Sequence, residues 1–125
     1  MAFLLAVETR FSAAHTLPGV GMCERLHGHN YRVRLTVRAE DAAVDPRGIS
    51  VDLGDLETIA RECVADFEHQ YLNDLEPFKN VPTSSEHIAR IVCARAAKRL
   101  TKGGRVEQVE VWEQPHYRVT YRPAE

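Results

Sequence analysis

Four separate stretches of this chain alternate apolar and polar residues, and two stretches between the first pair and the last pair repeat at helical spacing. Tyr31, Val33, Leu35 and Val37 alternate with Arg32, Arg34, Thr36 and Arg38, so Asn30 to Arg38 reads as a strand with one polar face. Phe3 to Ala13 begins apolar and then alternates Val7, Thr9 and Phe11 against Glu8, Arg10 and Ser12. Val106 to Trp112 and Tyr117 to Arg122 alternate again around Gln114-Pro115-His116, which makes a hairpin. Pro18, Gly19 and Gly21 mark Thr16 to Leu26 as the loop between the first two strands.

Asp45-Pro46-Arg47-Gly48 is a turn. Leu56, Ile59, Ala60, Cys63, Val64 and Phe67 then recur at helical spacing, predicting an amphipathic helix from Asp55 to about Glu68 with Cys63 on its buried stripe. Asn73 to Pro82 reads as loop. Thr83-Ser84-Ser85-Glu86 has the capping-box form and opens a second helix carrying Ile88, Ile91, Val92, Arg95, Ala96 and Leu100, with Cys93 in a flank and Gly103-Gly104 ending it. The order is ββααββ, an α+β chain. Two helices cover only one face of four strands, and the sheet keeps open edges, which points to a homo-oligomer that closes them.

At 125 residues, this is the length of one domain, 1–125, with a core of its own. A net charge of −2 leaves no positive excess for nucleic acid. The start is too short for a secretory leader and no apolar run approaches the roughly 20 residues of a membrane span, so a cytoplasmic address is expected, with no membrane partner. The odd count of 3 cysteines (Cys23, Cys63, Cys93) implies reduced thiols rather than a disulfide framework.

The mild excess of 6 histidines has a pattern. His27-Gly28-His29 puts two imidazoles on the same side of an extended segment, about 6.5–7 Å apart. If the first two strands pair, His15 brings a third, and three imidazoles suit zinc or another borderline transition metal. Cys23, four residues before His27, reads either as a fourth ligand closing a structural site or as a thiol beside an open one. Glu68-His69 has the form of a carboxylate orienting a histidine that activates a thiol, or of a solvated helix end. Glu113 shares a face with Val109 and Val111 by alternation; turned inward, it would need N–H partners.

Together these residues resemble the 6-pyruvoyltetrahydropterin synthase / 6-carboxytetrahydropterin synthase family. The resemblance runs nearly end to end: Phe11-Ser12-Ala13-Ala14-His15, Cys23-x-x-x-His27-Gly28-His29-Asn30-Tyr31, Gly48-x-x-x-Asp52-Leu53, His69-x-x-Leu72-Asn73, the helix start at Thr83 to Glu86, and Val111-x-Glu113. It implies the tunnelling fold (T-fold), a four-stranded antiparallel sheet with two helices on one face, assembled as a trimer or hexamer barrel with active sites between subunits. It implies an open Zn2+ site on His15, His27 and His29, with Cys23 as general base, His69 as its activator oriented by Glu68, and Glu113 as the pterin anchor. The implied substrate is the pterin triphosphate 7,8-dihydroneopterin triphosphate, and Arg25 is near enough in sequence to be a phosphate candidate.

The family usually has Asp-His where this chain has Glu68-His69, a change that keeps the charge and adds one methylene. The short gap between Cys23 and His27 resembles the branch that makes 6-carboxytetrahydropterin and acetaldehyde for the deazapurine (queuosine) pathway. The branch that forms 6-pyruvoyltetrahydropterin commonly has a longer gap and is the alternative. A third, aldolase-like branch uses a glutamate near the cysteine position, which Glu24 could supply. A non-catalytic zinc-stabilised binding module, with Cys23 as fourth ligand, is the non-enzymatic reading.

Overall fold

A computed structural model describes residues 1–101 and 103–125. Strands β1 (Ala2–His15) and β2 (His27–Glu40) are followed by helices α1 (Leu53–Val64) and α2 (Ser85–Arg99), then by β3 (Arg105–Gln114) and β4 (Tyr117–Tyr121). The strands form one antiparallel sheet in the order β1-β2-β3-β4. The expected ββααββ order is the observed one.

The alternation sorts the faces. Phe11, Tyr31, Val33, Leu35, Val37, Val109 and Val111 point toward the helices and are buried. There they meet Leu56, Ala60 and Cys63 of α1 and Ile88, Val92 and Ala96 of α2 in one core. Cys93 is buried in that core as well, rather than in a flank. The opposite face carries the polar set, including Glu8, Arg10, Arg32 and Arg34.

Element ends differ from the sequence reading in instructive ways. β1 runs on to His15 and β2 starts at His27, because these two residues pair with each other across the strands. The first helix stops at Val64 instead of Glu68, and Ala65–Phe67 tightens into a single 3-10 turn that still buries Phe67. Asp52 caps that helix by accepting from the Asp55 N–H at 3.0 Å. The second helix is capped by Ser84, which accepts from the His87 N–H at 3.2 Å, so Thr83 lies one position outside and is not the cap. This helix ends at Arg99 rather than at the glycine pair, and Gly103 sits in the following turn at φ +73°. The predicted loop Asn73 to Pro82 contains a 3-10 turn at Glu76–Phe78, held by buried Phe78. His116 is exposed and His87 is only half-buried.

Candidate metal centre and active site

The three histidines converge because of strand register. His15 pairs with His27 across β1 and β2, and Ala13 pairs with His29. All three therefore project to the helix side of one sheet end, and their ligand atoms lie within 4.8 Å of one another. An ion bound at about 2.0–2.1 Å from each nitrogen would draw the three rings somewhat closer together than this.

Tautomers follow from the neighbours. His15 Nδ1 lies 2.8 Å from the Thr83 carbonyl oxygen, and a carbonyl only accepts, so Nδ1 holds the proton. His15 Nε2 is then a bare acceptor, buried and without a partner. His27 Nδ1 donates in the same way to the Arg25 carbonyl at 2.6 Å, which leaves its Nε2 unprotonated. A backbone carbonyl on the far nitrogen is the usual way to orient a ligating imidazole. Burial holds the His15 pKa below the usual histidine value against the Thr83 hydrogen bond, and the neighbouring imidazoles lower it further. Burial also lowers His29, against the pull of Glu113. Both shifts favour the neutral, ligand-competent ring. An orphaned buried Nε2, fixed tautomers and depressed pKa values make this donor set fit a borderline dication such as zinc.

Residues given no role in the site from sequence hold this corner. The Asn73 side chain accepts from the Thr16 N–H and donates to the Thr16 carbonyl, both at 3.0 Å, clamping the residue next to His15. Thr83 Oγ1 donates to the same carbonyl at 3.1 Å. The signal for both was present, in the Leu72-Asn73 dipeptide and in a threonine beside a helix start, but its meaning depends on the fold.

Cys23 sits in the 3-10 turn Gly21–Glu24 and is half-buried. Its N–H donates to the Val20 carbonyl at 2.9 Å and its carbonyl accepts from the Leu17 N–H at 2.7 Å, so the turn is tied down. Among the described residues, the metal-ligand group contains the three histidines and not Cys23. This geometry favours the open site over a closed one. Glu24 accepts from the Gly19 N–H at 2.7 Å and braces the loop.

Glu113 lies where alternation put it, on the histidine side, with Oε2 3.7 Å from His29 Nε2. It lines a cleft of about 670 Å³ together with His29, Asn30, Trp112 and Gln114. Arg25 is exposed.

The Glu68–His69 pair is built differently. The His69 N–H donates to the Ser12 carbonyl at 2.7 Å, and the Ser12 N–H donates to Glu68 Oε1 at 2.9 Å, so the pair is laced to the free edge of β1. Glu68 Oε1 lies 3.3 Å from His69 Nε2, an ion-pair distance, while its hydrogen bond among the described residues is to the Ser12 N–H. His69 is the only non-glycine among the described residues with a positive φ, at 57°. Such a conformation persists only when its surroundings impose it, and it is concentrated at functional positions. The ring itself is 82% exposed. No hydrogen bond joins Cys23 to Glu68 or His69 among the described residues.

Among the described residues no helix is long and apolar enough to cross a membrane. The family model for 6-pyruvoyl tetrahydropterin synthase matches residues 4–124. A protein of Archaeoglobus fulgidus, provisionally named a 6-carboxy-5,6,7,8-tetrahydropterin synthase, is 36% identical over 78% of this chain and 79% of its own. The 6-pyruvoyl tetrahydrobiopterin synthase of Drosophila melanogaster is 32% identical over 98% of this chain and 80% of its own. The solved structure of Caenorhabditis elegans 6-pyruvoyl tetrahydropterin synthase superposes with a TM-score of 0.86 at 26% identity, covering 99% of this chain and 97% of that one. With the ββααββ sheet, the histidine cluster and these likenesses in hand, the chain belongs to the 6-pyruvoyl tetrahydropterin synthase family.

Proposed function

We propose that the chain is a zinc-dependent lyase that converts 7,8-dihydroneopterin triphosphate and one water into 6-carboxy-5,6,7,8-tetrahydropterin, acetaldehyde and triphosphate, in queuosine or 7-deazapurine biosynthesis. The observation that carries the reading is the open triangle of His15, His27 and His29, a ligand group that does not include Cys23. Zinc held there would act as a Lewis acid toward oxygens of the pterin side chain.

The remaining work falls to the chain's own residues. Glu113 accepts hydrogen bonds from paired N–H groups of the pterin head, where a two-oxygen acceptor gives orientation as well as affinity. The Cys23 thiolate takes a proton from a side-chain carbon, and His69 removes the thiol proton beforehand, oriented through its contact with Glu68. His69 is tethered to the β1 edge and its ring faces solvent, which supports a relay completed by a second copy. The open edges of β1 and β4 at either end of the sheet order support the same homo-oligomer, a trimer or hexamer.

A likeness to the Drosophila enzyme at 32% identity supports a second reading, formation of 6-pyruvoyltetrahydropterin from the same substrate. The product separates the two. Protein incubated with dihydroneopterin triphosphate is expected to yield acetaldehyde and a 6-carboxy pterin by mass spectrometry, and a pyruvoyl product alone would shift the assignment. The Cys23→Ala variant is expected to lose turnover while keeping about one zinc per chain. Loss of zinc with the thiol would instead make Cys23 a ligand and the chain a zinc-stabilised binding module.

A further inference from the structure

The face of the sheet that turns away from the helices has a charge pattern that the metal site does not explain. Register lines its side chains up in rows across the strands. One row is Glu8 on β1, Arg34 on β2, Glu110 on β3 and Thr120 on β4. The next row toward the histidine end is Arg10, Arg32, Trp112 and Arg118. The first row holds both carboxylates and the second holds none.

The carboxylates are fully used. Glu8 meets Arg32 at 3.1 Å and Arg34 at 2.9 Å, while Glu110 meets Arg34 at 3.4 Å and Arg118 at 3.2 Å. Arg10 has no ion-pair partner among the described residues, yet it stands directly opposite Arg32. Like charges facing each other across a strand pair are destabilising, because their Cβ atoms are only about 5 Å apart. Arg32 cannot swing clear, since its guanidinium is stacked on the Trp112 ring at 3.9 Å. Arg32 is answered by Glu8, but Arg10 sets a second guanidinium beside it that no carboxylate of the described residues answers.

Both arginines line the same cleft of about 670 Å³ that Glu113 and His29 line. One cleft therefore offers a carboxylate for N–H donors and, beside it, a pair of guanidiniums for a multivalent anion. Guanidinium forks match phosphate oxygens in geometry as well as charge. We infer that Arg10 and Arg32 seat the phosphate-bearing tail of the ligand whose head Glu113 holds. This rests on the pterin triphosphate reading above, and it assigns the phosphate contacts to β1 and β2 rather than to Arg25 in the loop.

Two probes separate the seat from the function. Isothermal titration of the metal-loaded protein would use inorganic tripolyphosphate in one series and unphosphorylated 7,8-dihydroneopterin in the other. Replacing Arg10 by Gln is expected to weaken tripolyphosphate about tenfold or more and to flatten its salt dependence, with dihydroneopterin affinity unchanged within about twofold. Arg10→Lys, which keeps the charge and loses the fork, should fall between. Equal tripolyphosphate binding by wild type and Arg10→Gln would overturn the inference, as would no binding by wild type at millimolar concentration. Tripolyphosphate binding that depends on Arg10, without dihydroneopterin binding, would keep the anion seat and remove the pterin reading. A circular dichroism spectrum matching wild type confirms that exposed position 10 tolerates the changes.

Discussion

Replacing Asn73 by Ala tests whether the metal corner is held by its polar clamp or only by strand pairing. The substitution removes the two 3.0 Å hydrogen bonds to Thr16, one in each direction. The Thr16 carbonyl keeps a partner, because Thr83 Oγ1 still donates to it at 3.1 Å. The Thr16 N–H does not, and it becomes a half-buried orphan. Two hydrogen bonds at about 1 kcal/mol each, plus roughly 1 kcal/mol for one partly buried unpaired donor, predict a loss of about 2–3 kcal/mol. Urea denaturation of metal-free protein, at one fixed protein concentration, should show the midpoint falling by about 1–2 M for a chain of this size. Asn73→Asp keeps the acceptor for the Thr16 N–H and loses the donor, so it should lie between. Zinc affinity should fall as well, about tenfold, since His15 is the neighbour of the loosened residue. A loss below about 0.5 kcal/mol, the ordinary scatter of surface substitutions, would refute the clamp and leave strand register as the sole support.

Acid should destabilise the metal-free protein. His15 and His29 have folded pKa values below the unfolded value of about 6.5, so the unfolded chain binds more protons as pH falls. Their contribution is complete above about pH 6.5 and is lost as pH drops through the folded values, so urea midpoints at pH 7.5 and 5.5 should differ, and equal midpoints would contradict the assignment of neutral rings. Burial raises the Cys63 and Cys93 thiols, so a thiol reagent should label Cys23 alone in native protein and all 3 thiols only after unfolding. Leu35→Ala, at a fully buried site in the middle of the core, should cost about 2–5 kcal/mol in the same denaturation assay.

The strands and the histidine triangle were legible because a period of two leaves few choices. Once Tyr31, Val33 and Leu35 face inward, His27 and His29 must face inward too, and an antiparallel partner carrying Phe11 and Ala13 delivers His15. Glu113 was readable by the same rule. What escaped depends on contacts between distant segments. Thr83 reads as a cap from its neighbours alone, but it is 1% exposed and spends its hydroxyl on Thr16, so Ser84 takes the cap. The helix register through Val64 continues to Phe67 on paper, while the helix breaks at its last residue, Val64, at φ −120°, and Phe67 reaches the core through a tighter turn. The lacing of Glu68 and His69 onto Ser12 spans 56 residues of sequence for its carboxylate bond and leaves no local signature. The carboxylate-free row on the outer face is equally silent, because its members come from all four strands.

The pairing of His15 with His27 has a consequence for how such a chain tolerates change. Those two residues close the sheet end of the segment between them, and everything from Thr16 to Leu26 is a loop strung across a fixed gap. Lengthening a loop costs little, roughly 0.6 kcal/mol per doubling, whereas inserting one residue inside β1 or β2 would throw every side chain beyond it to the other face. The ion seat and the thiol are therefore uncoupled in heredity: insertions and deletions can move Cys23 relative to the three imidazoles without disturbing them. A scaffold arranged this way can explore where its reactive sulfur stands, and so which bond of a held substrate it addresses, while the part that grips the ion stays the same.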